Sequence, residues 1–140
     1  MMETLTRCGV IVTCLLSVLS LHSTSAGVFR FNRNFNMTVT NSRKTPMFNN
    51  SITHPIKPGS PLIDYLEKAC EIDQSKFKFT VTYFAKLGYF VNAFNDVYSV
   101  WNATEKNYWR ISNQNGSLPV GVSTYIPKSG DRVVFELVSG

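Results

Sequence analysis

Few side chains in this chain suit covalent or acid-base chemistry. Once the first 26 residues are set aside, His54 is the only histidine and Cys70 the only cysteine. A Ser-His-Asp arrangement would have to use His54, which sits beside Pro55 in a short apolar-alternating stretch. A Cys70-His54 pair has no local signature. One Cys and one His make no zinc cluster. Asp64, Glu67, Glu71 and Asp73 fall on or just past one expected helix, so they read as a solvated face. The glycine-containing stretch 116–121 lacks the lysine of a phosphate loop. The expectation is a non-enzyme without a metal site.

Amides and aromatic rings remain. Asn92, Asn95, Asn113, Gln114 and Asn115, with Gly116 and Gly121, offer neutral donors and acceptors and close backbone approach. Tyr89, Phe90, Phe94, Tyr108 and Trp109 offer flat apolar surface. That mix suits a large, mostly uncharged ligand rich in amide groups. The bland alternative is that the rings form the core of a β-rich domain.

The elements that must position these residues centre on residues 107–137. A strand holding Tyr108, Trp109 and Ile111 is broken by Asn113, Asn115, Gly116 and Pro119, and a turn at Gly130 and Asp131 leads to a closing strand over Val133–Val138. Upstream, Phe35, Met37 and Val39 alternate with polar residues, which predicts a strand, with Phe29, Phe31 and Arg33 continuing the pattern towards the N-terminus. Residues 41–50 read as a loop. Ile52, His54 and Ile56 read as a short edge strand, because Pro55 removes a donor. Ser60 is the expected helix cap and Pro61 the first helical residue. Leu62, Ile63, Leu66, Ala69 and Cys70 then form one apolar stripe, ending near Ile72. Phe77, Phe79, Val81 and Tyr83 alternate as a strand. A turn at residues 85–88 leads into another at residues 89–95. About six short strands, mostly hairpin-linked, with one helix predict an α+β class: a small antiparallel β-rich domain with one main helix.

Residues 1–26 read as a secretory signal: Arg7, a short apolar run over residues 9–21, then Thr24, Ser25 and Ala26. That run is too short for a confident membrane span. Residues 27–140 suit one domain, with its core over about residues 39–138. Their net charge stays +5 from scattered basic residues, which argues against a nucleic-acid groove. Cys70 is then read as a small buried thiol with no internal partner. Four sequons, Asn36, Asn49, Asn102 and Asn115, make glycosylation of a secreted chain an expectation.

Several stretches taken in order resemble the C-terminal β domain of the vitamin B12 carriers, the transcobalamin, haptocorrin and intrinsic factor family. They are Pro58-Gly59-Ser60-Pro61-Leu62 into Leu66-Glu67-Lys68-Ala69, then Phe77-Lys78-Phe79 and Leu87-Gly88-Tyr89-Phe90-Val91. Tyr108-Trp109, Leu118-Pro119-Val120-Gly121-Val122 and Tyr125-Ile126-Pro127 follow, and Gly130-Asp131 opens the ending. The resemblance spans about residues 39–137. It implies a β-grasp-like module that closes over one face of cobalamin, and a secreted, non-catalytic cobalamin-binding protein that takes cobalamin or a related corrinoid as ligand. By resemblance the contacts are Phe90, Val91, Asn92, Ala93, Phe94 and Asn95 after the Leu-Gly turn. A second group is Trp109, Arg110, Ile111, Ser112, Asn113, Gln114, Asn115, Gly116, Ser117 and Leu118. The carriers' helical α domain, with its cobalt-ligating histidine and its disulfides, has no counterpart here, and His54 does not match that ligand. Partners implied are a corrinoid, a separate α-domain protein or a receptor. A glycan on Asn115 would put bulk in the inherited contact loop. The alternative is a secreted interaction module of the same fold that has lost the vitamin.

Overall fold

The computed structural model describes residues 33–140 in full, together with the backbone pairing of Glu3–Arg7. The signal reading and Phe29 and Phe31 otherwise lie outside the described residues. Among the described residues, nine strands and two helices follow in chain order: β1 (Glu3–Arg7), β2 (Asn34–Asn41), β3 (Phe48–Pro55), α1 (Leu62–Ile72), α2 (Gln74–Phe77), β4 (Phe79–Phe84), β5 (Gly88–Phe94), β6 (Val97–Tyr98), β7 (Asn107–Asn113), β8 (Gly116–Ser117) and β9 (Arg132–Ser139). They make two sheets, ordered β1-β4-β5-β6 and β3-β2-β9-β7-β8. Neighbours are antiparallel except β2 and β9, which run parallel from Asn36 opposite Arg132 to Thr40 opposite Glu136. The class is α+β, as the alternation predicts.

Alternation explains the inner faces. Phe35, Met37 and Val39 of β2 and Val133, Phe135 and Leu137 of β9 are all buried. The helix stripe Leu62, Ile63, Leu66, Ala69 and Cys70 is buried as expected. Each of the larger ones, Phe, Met, Val, Leu or Ile, contributes about 1.5–3 kcal/mol by leaving water. Phe94 joins the two sheets: its ring meets Trp109 edge-on at 4.9 Å and Phe135 at 5.1 Å. The Trp109 indole N–H donates to the Val97 carbonyl at 3.2 Å, so its buried polar atom is satisfied.

Four expectations are corrected. β3 begins at Phe48, inside the stretch read as a loop, because eight residues of β2 pair with it. Ser60 does not cap α1. Its N-cap is Pro61, without a side-chain bond. Instead the Leu62 N–H donates to the Tyr125 carbonyl at 2.8 Å and the Ile63 N–H to the Val122 carbonyl at 2.9 Å. A distant loop thus satisfies donors that a helix start leaves open. Phe77 belongs to the single turn α2 rather than to β4, though it is buried all the same. Cys70 is buried but disulfide-bonded, not an unpaired thiol. The other cysteines, Cys8 and Cys14, lie outside the described residues.

His54 is a core residue. It is 2% exposed, stacked against Phe35 at 5.5 Å and tilted on Tyr65 at 5.4 Å. Its buried Nε2 has no hydrogen-bond partner. Burial, and secondarily the Lys68 charge, hold its pKa below the ordinary 6.5. The unfolded chain therefore binds a proton that the folded chain resists as pH falls through 6.5. Stability should drop over that range and level off below the folded-state pKa. His54→Phe should abolish this part of the pH dependence, as read from urea melts at pH values either side of 6.5.

Candidate functional site

Two strands lack full partners. β5 pairs with β4 along its length, but with β6 only at Ala93 and Phe94. β7 pairs with β9, but with β8 only at Ser112 and Asn113. Among the described residues, no strand covers the outer edges at residues 89–91 and 108–110. An open cavity of about 390 Å³ lies there, lined by residues 89–91, 108–111 and 117–122. Phe90 is 50% exposed and Tyr108 39% exposed, so both present ring surface to solvent. Arg110 pairs with Glu136, and its buried Nε has no acceptor. The site thus combines aromatic faces, main-chain donors and acceptors, and one guanidinium.

The third wall is held from outside the cavity. Residues 121–125 form a tight turn, with the Thr124 and Tyr125 N–H groups donating to the Gly121 carbonyl at 3.1 and 3.0 Å. The same turn satisfies the start of α1. Ser123 Oγ accepts the Tyr89 N–H at 2.8 Å and so docks the turn on β5. Gly88 makes that approach possible. Its φ is +82°, and a Cβ there would stand 2.5 Å from Ser123 Cβ. Gly88→Ala should therefore cost about 1–3 kcal/mol from left-handed strain and crowding, measured as a loss of stability in urea melts.

Asp131, read only as a turn residue, is a buried hub. The Tyr125 hydroxyl donates to its Oδ2 at 2.5 Å and the Lys128 N–H at 2.9 Å, while Gln114 Nε2 donates to Oδ1 at 3.1 Å. Asn113 Nδ2 donates to the Tyr125 hydroxyl at 3.1 Å, and Gln114 Oε1 accepts the Arg132 N–H at 3.0 Å. Burial pushes the Asp131 pKa up. The bonds from Tyr125, Lys128 and Gln114 outweigh it and hold the carboxyl below its ordinary 3.8. Burial first, then the Asp131 bond, raises the Tyr125 hydroxyl.

The inherited contacts divide on this geometry. Phe90, Val91, Trp109, Arg110, Ile111, Ser117 and Leu118 line the cavity. Asn92 does not: its Nδ2 donates to Thr82 Oγ1 at 2.7 Å. Ala93 and Phe94 are fully buried. Asn95 turns the chain at φ 48° and donates to the Lys76 carbonyl at 2.9 Å. Ser112 pairs with Ser117 across the β7–β8 hairpin. Asn113 and Gln114 serve the Asp131 hub. Asn115 and Gly116 form the exposed hairpin tip, outside the cavity lining but next to the lining residues Ser117 and Leu118. Tyr89 and Tyr108, singled out as aromatics, are lining residues, as is Gly121. Pro119, Val120 and Val122 also line it, and the shared Leu-Pro-Val-Gly-Val stretch was the signal that marked them.

A family model described as "Domain of unknown function (DUF4430)" matches residues 59–139. The chain belongs to the DUF4430 family. Among solved structures, this member is similar to haptocorrin in complex with Cbi: TM-score 0.59, 18% identity, over 81% of this chain and 27% of haptocorrin. It spans about a quarter of that carrier's length. It is also similar to a candidate metal-binding protein from Ruminococcus gnavus ATCC 29149: TM-score 0.55, 14% identity, over 77% of this chain and 98% of that one. No curated protein matches the sequence. At these identities the likenesses show the fold. Among the described residues no group of three or more His, Cys, Asp or Glu side chains is placed to hold a metal ion. No described helix is long and apolar enough to cross a membrane.

Asp131→Asn should lower stability at neutral pH by roughly 1–3 kcal/mol, since buried donors lose a charged acceptor. The wild-type advantage should fade as acid titrates Asp131 below 3.8. Urea melts of both proteins across the acid range measure this.

Proposed function

We propose that this DUF4430 member binds a corrinoid, cobalamin or a relative, as a secreted, non-catalytic protein. One observation carries the reading. Residues 89–91, 108–111 and 117–122, distant in sequence, meet around one open cavity on a haptocorrin-like fold. The neighbouring structure holds Cbi, a corrinoid. A corrin carries peripheral amide side chains around an apolar ring. Two uncovered strand edges offer main-chain partners for such amides, while Phe90 and Tyr108 offer ring surface. A cavity of about 390 Å³ seats one edge of so large a ligand and does not enclose it. Affinity is accordingly below that of a two-domain carrier. Signal removal after Ala26 and glycans on Asn36, Asn49, Asn102 and Asn115 belong to the same proposal. The exposure of Asn49, Asn102 and Asn115 supports such modification.

Trp109 is a poor probe of this site. It is 7% exposed and packs on Phe94, so its truncation would cost about 3–5 kcal/mol of stability. Phe90 is the better probe. Titration with cobalamin and with cobinamide should shift the corrin absorption bands and quench tryptophan fluorescence. Binding should be detectable by ~100 μM, near −5 to −6 kcal/mol. Phe90→Ala should weaken it about 5- to 30-fold, the equivalent of roughly 1–2 kcal/mol. An unchanged spectrum with both ligands at that concentration would reject the corrinoid reading.

A further inference from the structure

The outer edge of β4 is a regular strand template on the opposite side of the first sheet from the cavity. β1 fills it without a register shift, from Glu3 opposite Tyr83 to Arg7 opposite Phe79. The irregularity in the β4–β5 ladder does not interrupt that pairing. β1, however, lies within the segment read as a secretory signal. Its removal would uncover five consecutive residues of β4, leaving their outward N–H and C=O groups without strand partners.

We propose that this uncovered edge is a homotypic docking site, at which β4 of a second copy replaces β1. The inference rests on removal of residues 1–26, which also takes away Cys8 and Cys14 and so leaves Cys70 without a disulfide partner in its own chain, and it is independent of the corrinoid. Three observations select a second copy. First, the edge already accepts an antiparallel strand, and antiparallel pairing is what a two-fold axis between identical strand edges produces. A two-fold at Val81 sets Phe79 of one copy opposite Tyr83 of the other, over the same five residues that β1 uses. Second, Phe79–Phe84 reads FTVTYF, with no charge and no proline. Those are the usual guards against edge pairing. β3, the other long edge strand, ends in Pro55 and carries the exposed sequon Asn49. Third, exposed apolar side chains flank the edge: Tyr83 at 42%, Phe84 at 36% and Leu87 at 81%.

The test uses the chain as a secretory host releases it, held in reductant so that no cysteine link counts. Mass spectrometry defines the N-terminus, and sedimentation across about 1–200 μM reads the assembly. The expected product lacks Glu3–Arg7 and forms a concentration-dependent dimer. Tyr83→Lys should raise its dissociation constant at least tenfold, and excess Met2–Arg7 peptide should shift it to monomer. Three results would each overturn the proposal: a monomer at every concentration, a dimer indifferent to both peptide and Tyr83→Lys, or a product that retains Glu3–Arg7. The last result refutes signal removal and leaves the corrinoid titration to stand or fall alone.

Discussion

One buried carboxylate holds the architecture around the cavity together. Asp131 is 5% exposed, and an ionised group so placed is tolerable only if its lone pairs are satisfied. The donors come from three places: Gln114 at the β7–β8 hairpin, Tyr125 after the cavity turn, and the Lys128 backbone. The Asp131 carbonyl also accepts the Asn36 N–H, tying the hub to β2. Val122 and Tyr125 also pack on the core, so the charge and apolar contacts together hold these segments in place. The wall over residues 117–122 lies between two of its arms.

The helix is the second anchor. Its first turn needs acceptors, and the Val122 and Tyr125 carbonyls supply them. The same short turn therefore caps the start of a helix, docks on β5 through Ser123 and faces the cavity with Val122. Core packing, helix start and candidate site share one stretch of backbone. A change in any of them reaches the others through contacts of ordinary length.

How much of this was legible followed from the range of each interaction. Alternation exposed β2 and β4, because a buried face leaves a period of two in the residues themselves, and a closing apolar run exposed β9. The stripe on α1 was equally plain. β3 was half missed: Asn49, Asn50 and Ser51 carry no apolar signal, and their pairing with β2 makes the strand. The parallel β2–β9 contact joins residues nearly a hundred positions apart, and nothing local announces it. The amides' partners left no local mark: Asn113 and Gln114 bond to Tyr125 and Asp131, a dozen or more residues on. Among the lining residues, Val91, Arg110 and Ile111 were singled out by family resemblance, Phe90 and Trp109 by both resemblance and side-chain type, and Tyr89 and Tyr108 by side-chain type alone.

The uncovered edges of β5 and β7 carry one more implication. A wall built from main chain shows a visitor the same N–H and C=O groups whichever side chains the strand bears. Such a surface is insulated from sequence drift, provided that the strand stays a strand. Haptocorrin shares this fold at 18% identity, a level at which most side chains differ. Sequence change acts instead on the side chains beside that wall, here Phe90, Tyr108 and Arg110.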